Sequence, residues 1–312
     1  MNVQSLAEKI SENIKKVIYG KDEKIKLILT AMFAGGHVLL DDIPGTGKTS
    51  LARALAISIG GESKRIQFTP DLLPSDITGI NFFDLKKSEF TFRKGPIFSN
   101  VVIADEINRT TPRTQSALLE AMEERQVSVD GVTYKLEEPF FVIATENPIE
   151  SQGTFPLPEA QIDRFLMKLS LGYPGKDAEK AILTGHVLKS PLETLCAVCE
   201  KSDIVAAAEE IRKVHVSEKL ANYIVNIVAA TRESDRIRLG VSPRGTLALL
   251  HASQACAAIN GRDYLLPDDV KAVASPVLGH RIISRSQSSA RITDANENII
   301  DYIVDSIPVP VE

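Results

Sequence analysis

Three groups of residues in this 312-residue chain have the types and spacing to handle a phosphate tail. The first is Pro44, Gly45, Thr46, Gly47, Lys48, Thr49 and Ser50, which follow the apolar run HVLLD and open the helical pattern SLARALAISI. A strand, loop and helix in that order hold an anion with backbone N–H groups, a helix N-terminus and one lysine. Gly45 and Gly47 are expected to let the backbone approach phosphate, Lys48 to reach the β and γ oxygens, and the Thr49 hydroxyl to ligate Mg2+. The template G-x-x-x-x-G-K-[ST] asks for a further glycine where this chain has Asp42. That position lies at the outer edge of the loop, where glycine relieves a turn without touching phosphate, so the loop reads as intact.

The second group is Asp105-Glu106, which ends the apolar run VVIAD. Asp105 there is placed to hold the water shell of Mg2+ and Glu106 to polarise an attacking water. The third is scattered. Asn147 ends a further apolar run and offers an amide to that water or to the γ-phosphate, while Arg164 and Arg244 each offer a cation for charge on a transferred phosphoryl group. Taken singly, these have plainer readings: an acidic strand end, a polar turn before Pro148, and surface ion pairs. Their combination is what points to nucleotide chemistry.

Four apolar runs must position these groups: 37–41, 65–68, 101–105 and 140–144. Separated by helical or irregular segments, they read as buried parallel strands of an α/β sheet. Before them, Leu6, Ile10, Ile14 and Val17, then Ile25, Ile28, Leu29 and Met32, recur at helical spacing. Two segments break the α/β rhythm. Around 126–137, alternating apolar residues flank Asp130-Gly131, a dipeptide suited to a two-residue hairpin turn. Around 79–95, Phe90 and Phe92 alternate after a polar turn and predict a second hairpin. After GYPG at 172–175 helical periods take over, including Leu220, Tyr223, Ile224, Ile227 and Val228 behind a Ser217 cap. The expected division is therefore an α/β domain over 1–174 and a helical one over 175–312, with a Ser-rich loop near the end.

Composition excludes several classes. Lys and Arg total 36 against 41 for Asp and Glu, a formal charge of -5, and no one-sign run suggests a nucleic-acid or membrane tail. The longest apolar runs are strand-sized, and the first residues lack the order of a signal peptide, so the chain is expected to be cytoplasmic and not inserted in a membrane. Cys196, Cys199 and Cys256 are too few for a disulfide framework and read as helix-packed thiols. No N-K-x-D quartet appears, which disfavours a GTPase.

In this order the elements resemble an AAA+ ATPase, and the fuller wording resembles the MoxR family within it. The resemblance rests on LLDDIPGTGKTSLARALA, RIQFTPDLLPSDITG, RKGPIFSNVVIADEINRTTPRTQSALLEAMEERQVSVDG, FFVIATENPIESQGTFPLPEAQIDRFLMKL and GVSPRGTLALLHASQACAA, and runs from about residue 3 to about residue 285. It implies an α/β P-loop NTPase core, a parallel sheet with two β-hairpin insertions, followed by a smaller all-helical lid. It implies ATP and Mg2+ at the cleft, with Lys48 and Thr49 as the Walker A pair, Asp105 and Glu106 as the Walker B pair, and Asn147 as sensor 1. Arg164 matches the arginine finger acting on a neighbour's ATP, and Arg244 matches sensor 2, contacting ATP from the lid of its own subunit. An acidic residue in place of the first loop glycine is usual in the family. The resemblance further implies a homo-oligomeric ring, usually a hexamer, and protein clients, among them proteins with a von Willebrand factor A domain. In related rings such hairpins face the pore and engage substrate, and Phe82 and Phe83 have no buried strand to belong to. A nucleic-acid motor or a nucleotide-dependent scaffold is the competing class; the tail after Ile283 matches nothing.

Overall fold

The computed structural model describes residues 2–42, 45–86, 88–146, 154–185, 191–285 and 292–310. Helices α1 (Val3–Lys15) and α2 (Asp22–Phe33) lead into strand β1 (Val38–Asp41) and helix α3 (Lys48–Ser58). The seven of these apolar residues that lie in α1 and α2 are all buried, as is Val17 just beyond α1, so one face of each helix meets the core. Strand β2 (Ser63–Gln67), the short helix α4 (Pro74–Thr78), and strands β3 (Gly79–Asp84), β4 (Glu89–Lys94) and β5 (Val101–Asp105) follow. Then come α5 (Pro112–Glu124), β6 (Gln126–Val129), β7 (Val132–Lys135), β8 (Phe141–Glu146), the short α6 (Glu159–Ile162) and β9 (Met167–Leu169).

Five strands form one all-parallel sheet in the order β2-β5-β8-β1-β9. The four apolar runs supply four of them. The fifth, β9, is an edge strand of three residues whose middle position is Lys168, and that interruption hid it from a search for apolar runs. Lys168 is held at the sheet's end by Asp41 at 2.9 Å and Glu146 at 3.6 Å. Side chains alternate between two apolar cores, as the strand period requires. Leu39, Val102, Ala104, Val142 and Ala144 pack against Leu118, Leu119 and Met122 of α5 on one face. Val38, Leu40, Val101, Ile103, Phe141 and Ile143 pack against α1, α2 and α3 on the other.

Parallel register gives the sheet two distinct edges. At the carboxyl edge Asp41 lies opposite Glu146, and Gln67 opposite Asp105. The loop after β1 and the acids at the end of β5 therefore emerge on the same edge, one on each side of β8, which is where open α/β sheets bind ligands. At the amino edge the strands begin.

The second half of the chain comprises α7 (Lys176–Gly185), α8 (Lys201–Ile211), α9 (Glu218–Glu233), β10 (Ile237–Leu239), α10 (Pro243–Ile259), α11 (Pro267–Leu278), β11 (Ile283–Ser284) and α12 (Ile292–Ser306). Ser217 caps α9, accepting from Leu220 N, as its position before the helical period predicts. The helices carry one addition, an antiparallel ladder in which Ile237 faces Ser284. The tail after Ile283 is no loose end: Ile300, Ile303 and Val304 of α12 are buried in the same core as α9 to α11. The Ser-rich stretch 286–291 lies outside the described residues. Of the thiols, Cys256 is buried in α10, but Cys196 and Cys199 sit in an irregular segment before α8 rather than in a helix. Burial pushes the Cys199 and Cys256 thiols up to about 11, so both are inert near neutral pH.

Both expected hairpins are present. Asp130 and Gly131 both have positive φ, 49° and 80°, as a type I′ turn demands. At the root of β3–β4 two glycines are obligatory, since a Cβ on Gly79 would lie 2.3 Å from Arg93 O and one on Gly95 would lie 2.2 Å from Ile77 O. The hairpins lean on one another: Phe92 stacks on Tyr134 with centroids 4.2 Å apart, and Asn81 Nδ2 donates to Asp130 Oδ2 at 2.7 Å. Phe83 and Phe90 pair edge-to-face near the β3–β4 tip but stay 48% and 74% exposed, with Leu85 beyond them at 85%.

Candidate nucleotide site

The loop after β1 is shaped for an anion. Gly45 and Gly47 take φ of 86° and 88°, in the left-handed region that only glycine occupies freely, and nothing lies within 4 Å of where a Gly45 Cβ would be. Gly47 stands at the N-cap of α3 without a side chain to satisfy it, so the first turn presents its N–H groups and dipole to an incoming phosphate. Lys48 is buried and its ammonium donates to the Asp42 carbonyl at 3.0 Å. Thr49 and Ser50 follow on the first turn, half-buried, and Thr46 flanks them. Pro44 and Asn147 lie outside the described residues.

Asp42 is buried at 3% exposure. Its carboxylate accepts from Ser170 Oγ at 2.9 Å, Leu171 N at 2.6 Å and Gly172 N at 3.0 Å. Reading this position as a tolerated gap in a template missed those bonds, because their donors follow β9, itself unseen.

Across the carboxyl edge, Asp105 and Glu106 are both paired. Asp105 Oδ1 accepts from Thr145 Oγ1 at 2.7 Å, and Oδ2 accepts from Arg65 at 2.6 and 3.1 Å. Glu106 takes a left-handed backbone, φ 57° and ψ 52°, which costs a non-glycine residue about 1–2 kcal/mol. The turn is held open by Glu106 N donating to Thr145 Oγ1 at 2.9 Å and by Arg109 N donating to Glu106 O at 2.9 Å. Its side chain is held by Gln67 Nε2 at 2.8 Å and Arg109 Nη1 at 3.1 Å. Such strain persists only where neighbours over-determine it. Arg65, Gln67, Arg109 and Thr145 were not singled out in the sequence. The alternation of polar Arg65 and Gln67 in β2 is a signal for two of them; Arg109 and Thr145 carry none.

These residues suit Mg2+·ATP. Glycines open a cradle, a lysine and a helix N-terminus border it, and Asp105 stands on the same edge of the sheet. Among the described residues no three His, Cys, Asp or Glu side chains form a metal cage.

Arg164 and Arg244 lie elsewhere, and together. Arg164 Nε is 3.1 Å from one oxygen of Glu123 on α5, and Arg244 Nη2 pairs with the other oxygen. The segment before β9 is fastened by Arg281, whose buried guanidinium donates to Asp163 Oδ1 at 2.7 Å, Phe165 O at 2.6 Å and Leu166 O at 3.1 Å. Burial holds the Arg281 pKa below its ordinary value, with Asp163 opposing that shift. Asp163 also accepts from Ser242 Oγ at 3.1 Å, and Ser242 caps α10, so one carboxylate ties Arg164's segment to Arg244's helix.

This assembly sits at the amino edge. Leu166 N donates to His37 O at 2.8 Å, immediately before β1, and Arg125 donates to Phe140 O, immediately before β8. Four residues of β1 separate that edge from the phosphate loop, about 13 Å of strand, beyond an arginine's length. The resemblance implies that Arg244 contacts ATP from the lid of its own subunit; in this arrangement its guanidinium is turned to Glu123 instead. The arrangement presents Arg244 on the same side as Arg164, because Glu123 and Asp163 bind the two into one unit.

An all-parallel five-stranded sheet, a glycine-bearing phosphate loop after its fourth-position strand and paired acids on the adjoining edge define an AAA+ ATPase. Residues 37–167 match the ATPase family associated with various cellular activities (AAA), and residues 229–301 match the AAA lid domain. The protein YeaC of Bacillus subtilis is 49% identical over 311 residues, covering 100% of this chain and 97% of that one. Chaperone MoxR1 of Mycobacterium tuberculosis is 37% identical over 99% of this chain and 83% of its own length, and Protein MoxR of Paracoccus denitrificans is 33% identical over 94% and 93%. A crystal structure from Cytophaga hutchinsonii superposes with a TM-score of 0.90 at 38% identity, covering 99% of this chain and 96% of that one. The chain belongs to the MoxR family of AAA+ ATPases. The lid match reaches residue 301 and so takes in most of α12, which the sequence reading had left unmatched. No helix among the described residues is long and apolar enough to cross a membrane.

Proposed function

We propose that this chain hydrolyses ATP with Mg2+ at a site completed by a neighbouring copy, and that turnover remodels or matures protein clients. The observation that carries this reading is the separation of charges: the phosphate loop and acid pair lie on one edge of the sheet, and Arg164 with Arg244 on the opposite edge. One chain cannot bring them together; a head-to-tail ring can.

In this reading Lys48 leaves the Asp42 carbonyl for the β and γ oxygens, and Gly45 to Ser50 line the phosphates with backbone N–H groups. Thr49 and Asp105 hold Mg2+, partly through water, which requires Asp105 to exchange Arg65 for the ion. Glu106 leaves Gln67 and Arg109 to accept a proton from water, and Asn147 orients that water. Bound Mg2+·ATP supplies the electrophilic phosphorus and the divalent charge. The neighbour's Arg164 and Arg244, released from Glu123, neutralise charge on the transferred phosphoryl group.

The exposed Phe83, Leu85 and Phe90 at the hairpin tip suit apolar side chains of a client, and a relative named as a chaperone supports that use. We extend the reading, on family grounds, to a hexameric ring, to clients or partners with a von Willebrand factor A domain, to a cytoplasmic setting, and to two working units over 1–174 and 175–312. A net charge of -5 makes nucleic acid an unsuitable partner.

Glu106→Gln tests the core of the proposal. It is expected to keep ATP affinity in calorimetry while turnover falls about 10²- to 10⁴-fold, the usual worth of a general base. Full turnover by this variant would remove Glu106 from the chemistry. The same variant held with ATP should retain a client protein on isolation, and recovery without any von Willebrand factor A domain partner would sink that part of the reading.

A further inference from the structure

We propose that Asp42 is a positioning residue which anchors the phosphate loop to the end of β9 and so sets the loop's grip on nucleotide. This rests on the reading of the loop as an ATP site. The motif's template places glycine here, and a glycine would leave the loop's first residue free to turn. In this chain the position is instead a carboxylate with almost no access to water. A buried carboxylate is unfavourable unless donors surround it, and three do: Ser170 Oγ at 2.9 Å, Leu171 N at 2.6 Å and Gly172 N at 3.0 Å. Two successive backbone N–H groups aimed at one anion form a nest, and Gly172, at φ 63°, supplies the left-handed residue such a nest favours. The nest is filled from within the protein by the loop's own side chain.

The other end of the same residue meets the catalytic lysine. Lys48 Nζ donates to the Asp42 carbonyl at 3.0 Å, so the ammonium that must reach phosphate rests on the residue whose side chain is anchored. The anchoring segment is itself gripped from the far side, since Lys21 Nζ donates to Leu171 O at 2.5 Å and Tyr173 O at 2.8 Å. From there the chain runs into α7 and the helices beyond. One side chain thus fixes the phosphate loop relative to the exit from the sheet.

The test is a calorimetric titration of the full chain with MgADP. Asp42→Gly restores the template glycine, yet its Kd is expected to rise about tenfold, because all three hydrogen bonds to the carboxylate are lost and a part of their worth is felt at the phosphates. Ser170→Ala keeps both backbone donors and is expected to stay within about twofold. Amide exchange at Leu171 and Gly172 should be slow in the unchanged chain and fast in Asp42→Gly. A purely structural role predicts a lower melting temperature with an unaltered Kd below it, and that result overturns the proposal. Should Asp42→Gly not fold, the isosteric Asp42→Asn decides on the same terms: a weakened Kd supports the anchor and an unaltered one overturns it. If the unchanged chain takes up no MgADP, the nucleotide reading falls and this inference with it.

Discussion

The two edges of the central sheet are built on opposite plans. At the carboxyl edge the working groups are contiguous in sequence, Gly45 to Ser50 in one turn and Asp105-Glu106 in another, and the fold sets two strand ends on either side of β8. At the amino edge the groups are dispersed along the chain: Glu123, Asp163, Arg164, Arg244 and Arg281 come from α5, the segment before β9, the start of α10 and the turn after α11. A phosphate cradle is a backbone device and needs a local motif. An arginine clasp is a tertiary device, and its geometry exists only once the helical half has docked.

If the edges serve one site across two chains, breaking either should stop turnover and mixing should repair it. Arg164→Ala is expected to lower turnover about 10³-fold or more, the usual worth of an arginine supplied in trans, without loss of ATP affinity. Mixed with Glu106→Gln, it should regain measurable turnover, because each variant carries the edge the other lacks. Two dead variants that stay dead when mixed, in rings shown to exchange subunits, would end the two-edge account. Arg281→Met strands Asp163 and is expected to cost about 3 kcal/mol of stability in thermal or denaturant unfolding. Below its melting temperature it should bind nucleotide normally, since only the amino edge is touched. At the other edge Thr145→Val removes the hydroxyl shared by Asp105 and Glu106 N and is expected to cost about 1–2 kcal/mol. Weakened Mg2+-dependent nucleotide binding in that variant, measured by calorimetry, would place its effect where the structure does.

The amino edge also carries a pH dependence. Burial holds His37 and His280 well below the ordinary histidine range, and both sit there: Val142 N donates to His37 Nδ1, His37 Nε2 donates to Met122 O, and His280 Nε2 donates to Phe165 O. The unfolded chain protonates near about pH 6.5 and the folded chain only at lower pH, so stability is complete above that value and is lost as pH falls beneath it. The expected slope is up to about 1.4 kcal/mol per pH unit for each histidine. A melting temperature flat from about pH 7 to about pH 5 would show that these rings accept charge in place.

The sequence made the carboxyl edge legible because Gly-Lys-Thr and Asp-Glu each follow an apolar run, and strand followed by loop is a local pattern. Asp130-Gly131 exposed its hairpin for the same reason. Strand β9 was hidden by Lys168, a cation inside the sheet whose presence makes sense only beside Asp41 and Glu146. Asp42 passed for a gap because its three donors lie about 130 residues away along the chain. The placement of Arg244 required knowing how the helical half docks, and neither propensity nor periodicity contains that. Helix α12 lies beyond a Ser-rich interruption, and its burial against α9 and α11 became visible only in three dimensions.

Helix α5 ends at Glu124, and β6 begins at Gln126, so the carboxylate that clasps both arginines stands three residues from the root of a hairpin. That hairpin is bolted to the other by Phe92 on Tyr134 and by Asn81 on Asp130. In the proposed ring, a pull on Glu123 from an adjoining copy would reach this two-pronged lever and its exposed aromatic tip, so that each subunit's hold on a client would be geared to its neighbour's fuel before its own.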